Sequence, residues 1–148
     1  MSTIGIVEGF FGPAWSHEAR LQYADFLSAF PDSFYFYAPK RDPHLRKEWR
    51  EPWDNNYLKM LSELVERFHQ NNVQFGVGLS PFGLGKSLTD LDQKILDQKI
   101  RQLRDLGIDK LGLFFDDMPS SEDLAKVQIQ VVKKALNIFS TGLMFCSS

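Results

Sequence analysis

The chain has 148 residues, 43% of them hydrophobic and 14% aromatic, with thirteen Phe, which is ample for one core and too little for two ordinary domains. A net charge of −2 and an isoelectric point near 5.9 exclude a general electrostatic pull towards nucleic acid or an anionic membrane. The lone cysteine, Cys146, excludes an internal disulfide and a Cys-rich metal site.

Residues 1–148 are therefore expected to form a single domain. No run approaches the roughly 18 apolar residues of a membrane span. No basic segment followed by an apolar one marks the N-terminus as a secretory signal, so a cytoplasmic protein is expected.

Strand and helix patterns alternate along the chain. An apolar strand at 3–7 leads into a loop at 8–15 and a helix from about 16 to 30, with Leu21, Ala24 and Leu27 on one face. The second strand, 33–37, is followed by a long loop at 38–54. The next helix carries Tyr57, Leu61, Leu64 and Phe68 at helical spacing. A third strand at 73–79 and a loop at 80–88 precede a helix striped by Leu96, Ile100 and Leu103, with Gly107 placed as its C-terminal glycine. The fourth strand, 110–115, ends in a loop at 116–121. Ser120 or Ser121 is then expected to cap a helix bearing Leu124, Val127, Val131, Ala135 and Ile138. A fifth strand is expected at 141–145.

This βαβαβαβαβ order implies a parallel sheet with right-handed crossovers. Two architectures accommodate it. A doubly wound five-stranded sheet is complete at this length. A (β/α)8 TIM barrel needs roughly 200 residues or more, so the chain would supply a partial barrel of about five strands and four helices. Length alone favours the doubly wound sheet. The loops push towards the barrel, because the unusual residues follow the strands and the segments after the helices are short and plain, although open α/β sheets also bind ligands at that end.

The run Leu113-Phe114-Phe115-Asp116-Asp117 is an apolar strand that ends in two adjacent carboxylates. Like charges held together raise one pKa, which suits chemistry that needs one ionised and one protonated acid. The alternative is a pair of acids at a helix start, where negative charge is favourable. Strict strand alternation sends neighbouring side chains to opposite faces. For both to serve one site the chain must leave the strand at Asp117, as Pro119 just beyond would allow. A phospho-receiver domain also clusters acids, but here Glu8, Ser80-Pro81 and Cys146 occupy the strand ends where its acids and lysine belong.

Two further segments carry chemistry. In residues 37–46, basic and aromatic side chains interleave. An acidic protein with one such loop is a poor nucleic-acid binder, and a solvated charge cluster anchored by Trp49 and Trp53 is the plain reading. Lys40, at the strand end, could instead donate hydrogen bonds to sugar hydroxyls. In residues 7–15, Gly9 and Gly12 permit close backbone approach to a ligand or make a tight turn. His17, His44 and His69 lack ligand spacing, so no metal or other cofactor is expected.

Three segments together, Ile6-Val7-Glu8-Gly9-Phe10-Phe11-Gly12 with Trp15, Tyr37-Ala38-Pro39-Lys40 with Asp42, His44 and Arg46, and Phe114-Phe115-Asp116-Asp117, resemble glycoside hydrolase family 84. Leu79-Ser80-Pro81 is similar as well, although Phe82 precedes the glycine there. The resemblance implies the N-terminal part of a (β/α)8 catalytic barrel and a retaining β-N-acetylglucosaminidase. Its nucleophile is the substrate's own 2-acetamido carbonyl, an exception to the usual two-carboxylate scheme.

By position, the resemblance makes Asp116 the group that orients the acetamido N–H and Asp117 the general acid and base. The Gly9 backbone and Lys40 become holders of sugar hydroxyls. It implies an N-acetylglucosamine-containing glycan or glycoprotein as partner and no cofactor. It also implies that a tyrosine, asparagines and an aspartate of the sugar pocket lie beyond residue 148, so that the 148 residues alone are expected to be weak or inactive. Exposed sheet edges would then invite self-association. The alternatives are a non-catalytic, sugar-binding half-barrel that needs a partner chain, and a doubly wound receiver-like domain.

Overall fold

A computed structural model describes residues 3–84, 87–116, 118–119, 121–140 and 142–146. Among these, strands β1 (Gly5–Glu8), β2 (Phe34–Tyr37), β3 (Gln74–Leu79), β4 (Lys110–Phe114) and β5 (Leu143–Cys146) alternate with helices α1 (His17–Leu27), α2 (Asn55–Gln70), α3 (Asp90–Asp105) and α4 (Leu124–Ile138). Every pairing is parallel and the strands lie in chain order, β1-β2-β3-β4-β5. That order decides between the two architectures. A doubly wound sheet reverses direction part-way, whereas a barrel adds each strand beside the last. The chain is a five-stranded parallel half-barrel.

Local chemistry sets the helix ends. Ser16, Asp54 and Thr89 accept from the backbone N–H three residues on, at 3.1, 2.8 and 3.1 Å, and so start α1, α2 and α3. The fourth helix differs from expectation. It begins at Leu124 with Asp123 in the cap position and no side-chain cap; Ser121 contributes only its carbonyl, to the Leu124 N–H, and Ser120 lies outside the described residues.

Each helix hands the chain to the next strand through one residue of positive φ: Asp32, Asn72, Gly107 and Gly142. At Gly142 the glycine is obligatory, because a Cβ would lie 2.4 Å from the Asp109 carbonyl oxygen.

Strand alternation sorts the sheet into two faces. The helix-side face carries Tyr35, Phe75, Val77, Leu79, Leu111, Leu113 and Phe115, which are buried in one cluster with Leu27, Leu61, Phe68, Ile100 and Val131. The opposite face, the interior of a barrel, holds a second cluster of Phe36, Ala38 and Phe114. Its phenyl rings lie across glycines of neighbouring strands. A Cβ on Gly76 would come within 2.7 Å of Phe36, and one on Gly78 within 2.3 Å of Phe114. The glycines thus make room for the rings that floor the site.

Candidate active site

Counting along the alternation from the inner-face cluster places Lys40 two residues beyond Ala38 and Asp116 two beyond Phe114, both on the inner face at the C-terminal rim. The two side chains meet there: Lys40 Nζ donates to Asp116 Oδ2. The lysine side chain is 8% exposed and the aspartate 33%, so the pair lies at the mouth of the sheet. Asp116 Oδ1 is buried and has no hydrogen-bond partner among the described residues. One carboxylate oxygen is therefore anchored, and the other is an acceptor held ready for a ligand's donor.

Gly9 follows β1 directly on the same rim. Its N–H donates to the Val7 carbonyl at 2.9 Å, and its own carbonyl accepts no hydrogen bond among the described residues. Phe11, two residues on, connects the two loops, with its ring centroid 5.9 Å from Lys40 Nζ. Of the expected site residues, the structure joins Lys40 to Asp116 and places Gly9 on the same rim, at the end of the strand next to β2. Asp117 lies outside the described residues.

Beneath the rim, on the helix side, sits a buried acid whose role sequence reasoning did not separate from that of Gly9. Glu8 is fully buried and receives the Arg20 guanidinium in a fork, Nε to Oε2 and Nη2 to Oε1, each at 2.8 Å. Tyr35 Oη donates to Glu8 Oε2 at 2.6 Å, and the Trp15 amide to Oε1 at 3.2 Å. Burial alone would lower the Arg20 pKa, but the hydrogen bonds and charge of Glu8 outweigh it and raise it. Burial, with Glu8 alongside, raises the Tyr35 phenol too. Glu8 faces the helix side, where it ties β1 to α1. Its parity with Tyr35 and Tyr37 was the available signal.

Asp42 plays a similar part. Tyr37 and Tyr57 both donate to its Oδ2, at 2.7 and 2.8 Å, and its Oδ1 accepts from the His44 amide at 2.9 Å. It starts a single 3-10 turn over Pro43–Leu45 and fixes the loop that presents Lys40. Among the described residues no group of three His, Cys, Asp or Glu side chains converges to hold a metal ion, and no helix is long and apolar enough to cross a membrane.

A profile described as beta-N-acetylglucosaminidase matches residues 4–142. The chain belongs to this family. It is 31% identical over 117 residues to Protein O-GlcNAcase of Rattus norvegicus and of Mus musculus, covering 77% of this chain and 12% of each relative. A mutant of the Thermobaculum terrenum O-GlcNAc hydrolase superposes with a TM-score of 0.83 at 30% identity, over 97% of this chain and 34% of that one. CpGH84B superposes equally well at 29% identity, over 26% of its chain. The chain thus spans about a third of the Thermobaculum structure and about an eighth of the rodent proteins. Membership of glycoside hydrolase family 84 agrees with the half-barrel topology, since the family's catalytic domain is a (β/α)8 barrel.

Proposed function

We propose that these residues form the N-terminal half of a retaining β-N-acetylglucosaminidase site acting on terminal β-linked N-acetylglucosamine of a glycan or glycoprotein. The observation that carries this reading is the Asp116 carboxylate, with Oδ2 held by Lys40 and Oδ1 left as a buried, unpartnered acceptor. An acetamido N–H delivered to Oδ1 would hold the group's carbonyl against the anomeric carbon. The neighbouring negative charge stabilises the cation that develops as the oxazoline closes. Anchorage by Lys40 keeps the acceptor oriented before substrate arrives, so little reorganisation is required.

Asp117, adjacent in the chain, protonates the departing glycosidic oxygen and then deprotonates the water that opens the oxazoline. Two inversions at one carbon retain its configuration. The Lys40 ammonium and the Gly9 carbonyl bind sugar hydroxyls: the first donates, and the second accepts.

Five strands enclose only part of a sugar, so the 148 residues tested alone hydrolyse such substrates weakly or not at all. A chromogenic N-acetyl-β-glucosaminide assay on the purified chain checks this, with little or no release above the uncatalysed background expected. Robust turnover abolished by Asp117→Asn would overturn the half-site claim while supporting the catalytic roles. Robust turnover unchanged by Asp117→Asn would overturn those roles.

A further inference from the structure

A guanidinium stands beside this rim without an acid. Arg46 closes the 3-10 turn after Asp42, and its Cζ lies 5.4 Å from the ring centroid of Phe11 and 5.4 Å from that of Phe82. Phe11 belongs to the loop after β1 and Phe82 to the loop after β3, so Arg46 sits where three rim loops meet. Arg20, Arg50, Arg67, Arg101 and Arg104 each pair with a carboxylate, whereas Arg46, like the exposed Arg41 next to Lys40, makes no side-chain hydrogen bond or ion pair among the described residues; of these two only Arg46 is part-buried and lies against two aromatic rings.

The position is fixed from behind. The Phe82 carbonyl accepts from Trp49 Nε1 at 2.9 Å and from Arg50 Nη1 at 3.2 Å, and Arg50 is itself held by Asp92 at 2.7 Å. Aromatic faces stabilise a cation but offer no in-plane acceptor, so the N–H fork of Arg46 remains open to a planar bidentate partner. Phe11, at 64% exposure, leaves that approach uncovered. Lys40 also faces Phe11, so a group on Arg46 lies within one or two sugar or peptide units of the Lys40–Asp116 pair.

We infer that Arg46 is a specificity residue that binds a carboxylate on the group to which the N-acetylglucosamine is attached. This rests on the N-acetylglucosaminidase reading above. The carboxylate could come from a uronic acid in a glycan or from an acidic residue beside a glycosylated serine; the chemistry at Arg46 is the same.

Binding of 4-carboxyphenyl N-acetyl-β-glucosaminide and of its carboxamide to the 148-residue chain, followed by NMR titration, tests the inference. A roughly two- to fivefold preference for the carboxylate is expected, as for a part-exposed ion pair. Arg46→Gln should abolish the preference and leave carboxamide affinity unchanged, a pattern that a purely structural arginine would not give. Should that variant unfold, loss of the wild-type preference in 0.5 M salt replaces it as the check.

The same comparison with a glucuronic-acid disaccharide and with an aspartate-flanked glycopeptide, each against its amide, identifies the source of the carboxylate. Equal binding within every pair overturns the inference and leaves the N-acetylglucosamine reading standing. Failure of the carboxamide to bind at all removes that reading and the inference together.

Discussion

Lys40 and Asp116, 76 residues apart in the chain, form an ion pair across the C-terminal rim of a parallel half-barrel. One strand, β3, separates the two that deliver them, so the pair exists only when β2, β3 and β4 are assembled in order. Lys40→Met should therefore weaken N-acetylglucosamine binding by about tenfold or more, because it removes a charged donor and frees Asp116 to rotate. The thermal unfolding midpoint should change little, since a pair at the sheet mouth contributes modestly to stability. Binding measured by NMR beside a thermal melt separates the two effects; equal binding by the variant would dismiss Lys40 as a contact.

Gly78 links packing to the site. An alanine methyl there would stand 2.3 Å from the Phe114 ring and 2.6 Å from Ala38 Cβ, and the latter is fixed on its strand. Phe114 must move, and Asp116 is two residues along. Gly78→Ala should cost about 1–3 kcal/mol in urea denaturation and also perturb the Lys40–Asp116 contact. A variant of wild-type stability would show that this floor is looser than described.

The Glu8–Arg20 pair predicts strong, coupled effects. Arg20→Met leaves a fully buried carboxylate with only Tyr35 and the Trp15 amide to satisfy it, and should destabilise by about 3–5 kcal/mol. Glu8→Gln combined with Arg20→Met should cost clearly less than the sum of the single changes. Additive losses in chemical denaturation would count against a buried pair.

Alkaline pH should affect stability through Lys99. Burial lowers its pKa to about 8, although its ammonium donates to the Glu51 carbonyl and lies 4.2 Å from the Trp53 ring centroid. Between pH 8 and the ordinary lysine value the unfolded chain keeps a proton that the folded chain has released, so this group's contribution to stability rises with pH across that window. Tyr35, Tyr37 and Tyr57, whose pKa values burial raises, act in the opposite sense above the ordinary tyrosine value of about 10. Urea midpoints at pH 7.5 and 9.5 should show a rise in the wild type that Lys99→Met lacks; parallel behaviour would contradict the assignment.

Much of this was legible in the chain because the relevant periodicities are local. Apolar runs marked all five strands to within two residues, but the cap expected at Ser120 or Ser121 gave way to Asp123, and the Ser16, Asp54 and Thr89 caps were not read from the chain. Strand order was not legible locally, since nothing local says on which side a new strand will pair; the loops and the family resemblance pointed to the barrel, and the observed order bears that out.

The long-range partnerships were hidden for the same reason. Asp42 stood in the sugar-site motif, yet Tyr37 and Tyr57 turn it inwards as a loop anchor. Arg46 read as one more solvated charge until Phe11 and Phe82, from loops on either side, were seen to converge on it.

The central claim is that the rim bearing Gly9, Lys40 and Asp116 receives N-acetylglucosamine. Amide chemical shifts of the labelled chain, titrated with N-acetyl-β-glucosaminide, test it most directly. Saturable shifts at Gly9, Lys40 and Asp116 that disappear in Asp116→Ala are predicted. Shifts confined to other surfaces, or a response at the rim that Asp116→Ala leaves intact, would contradict it.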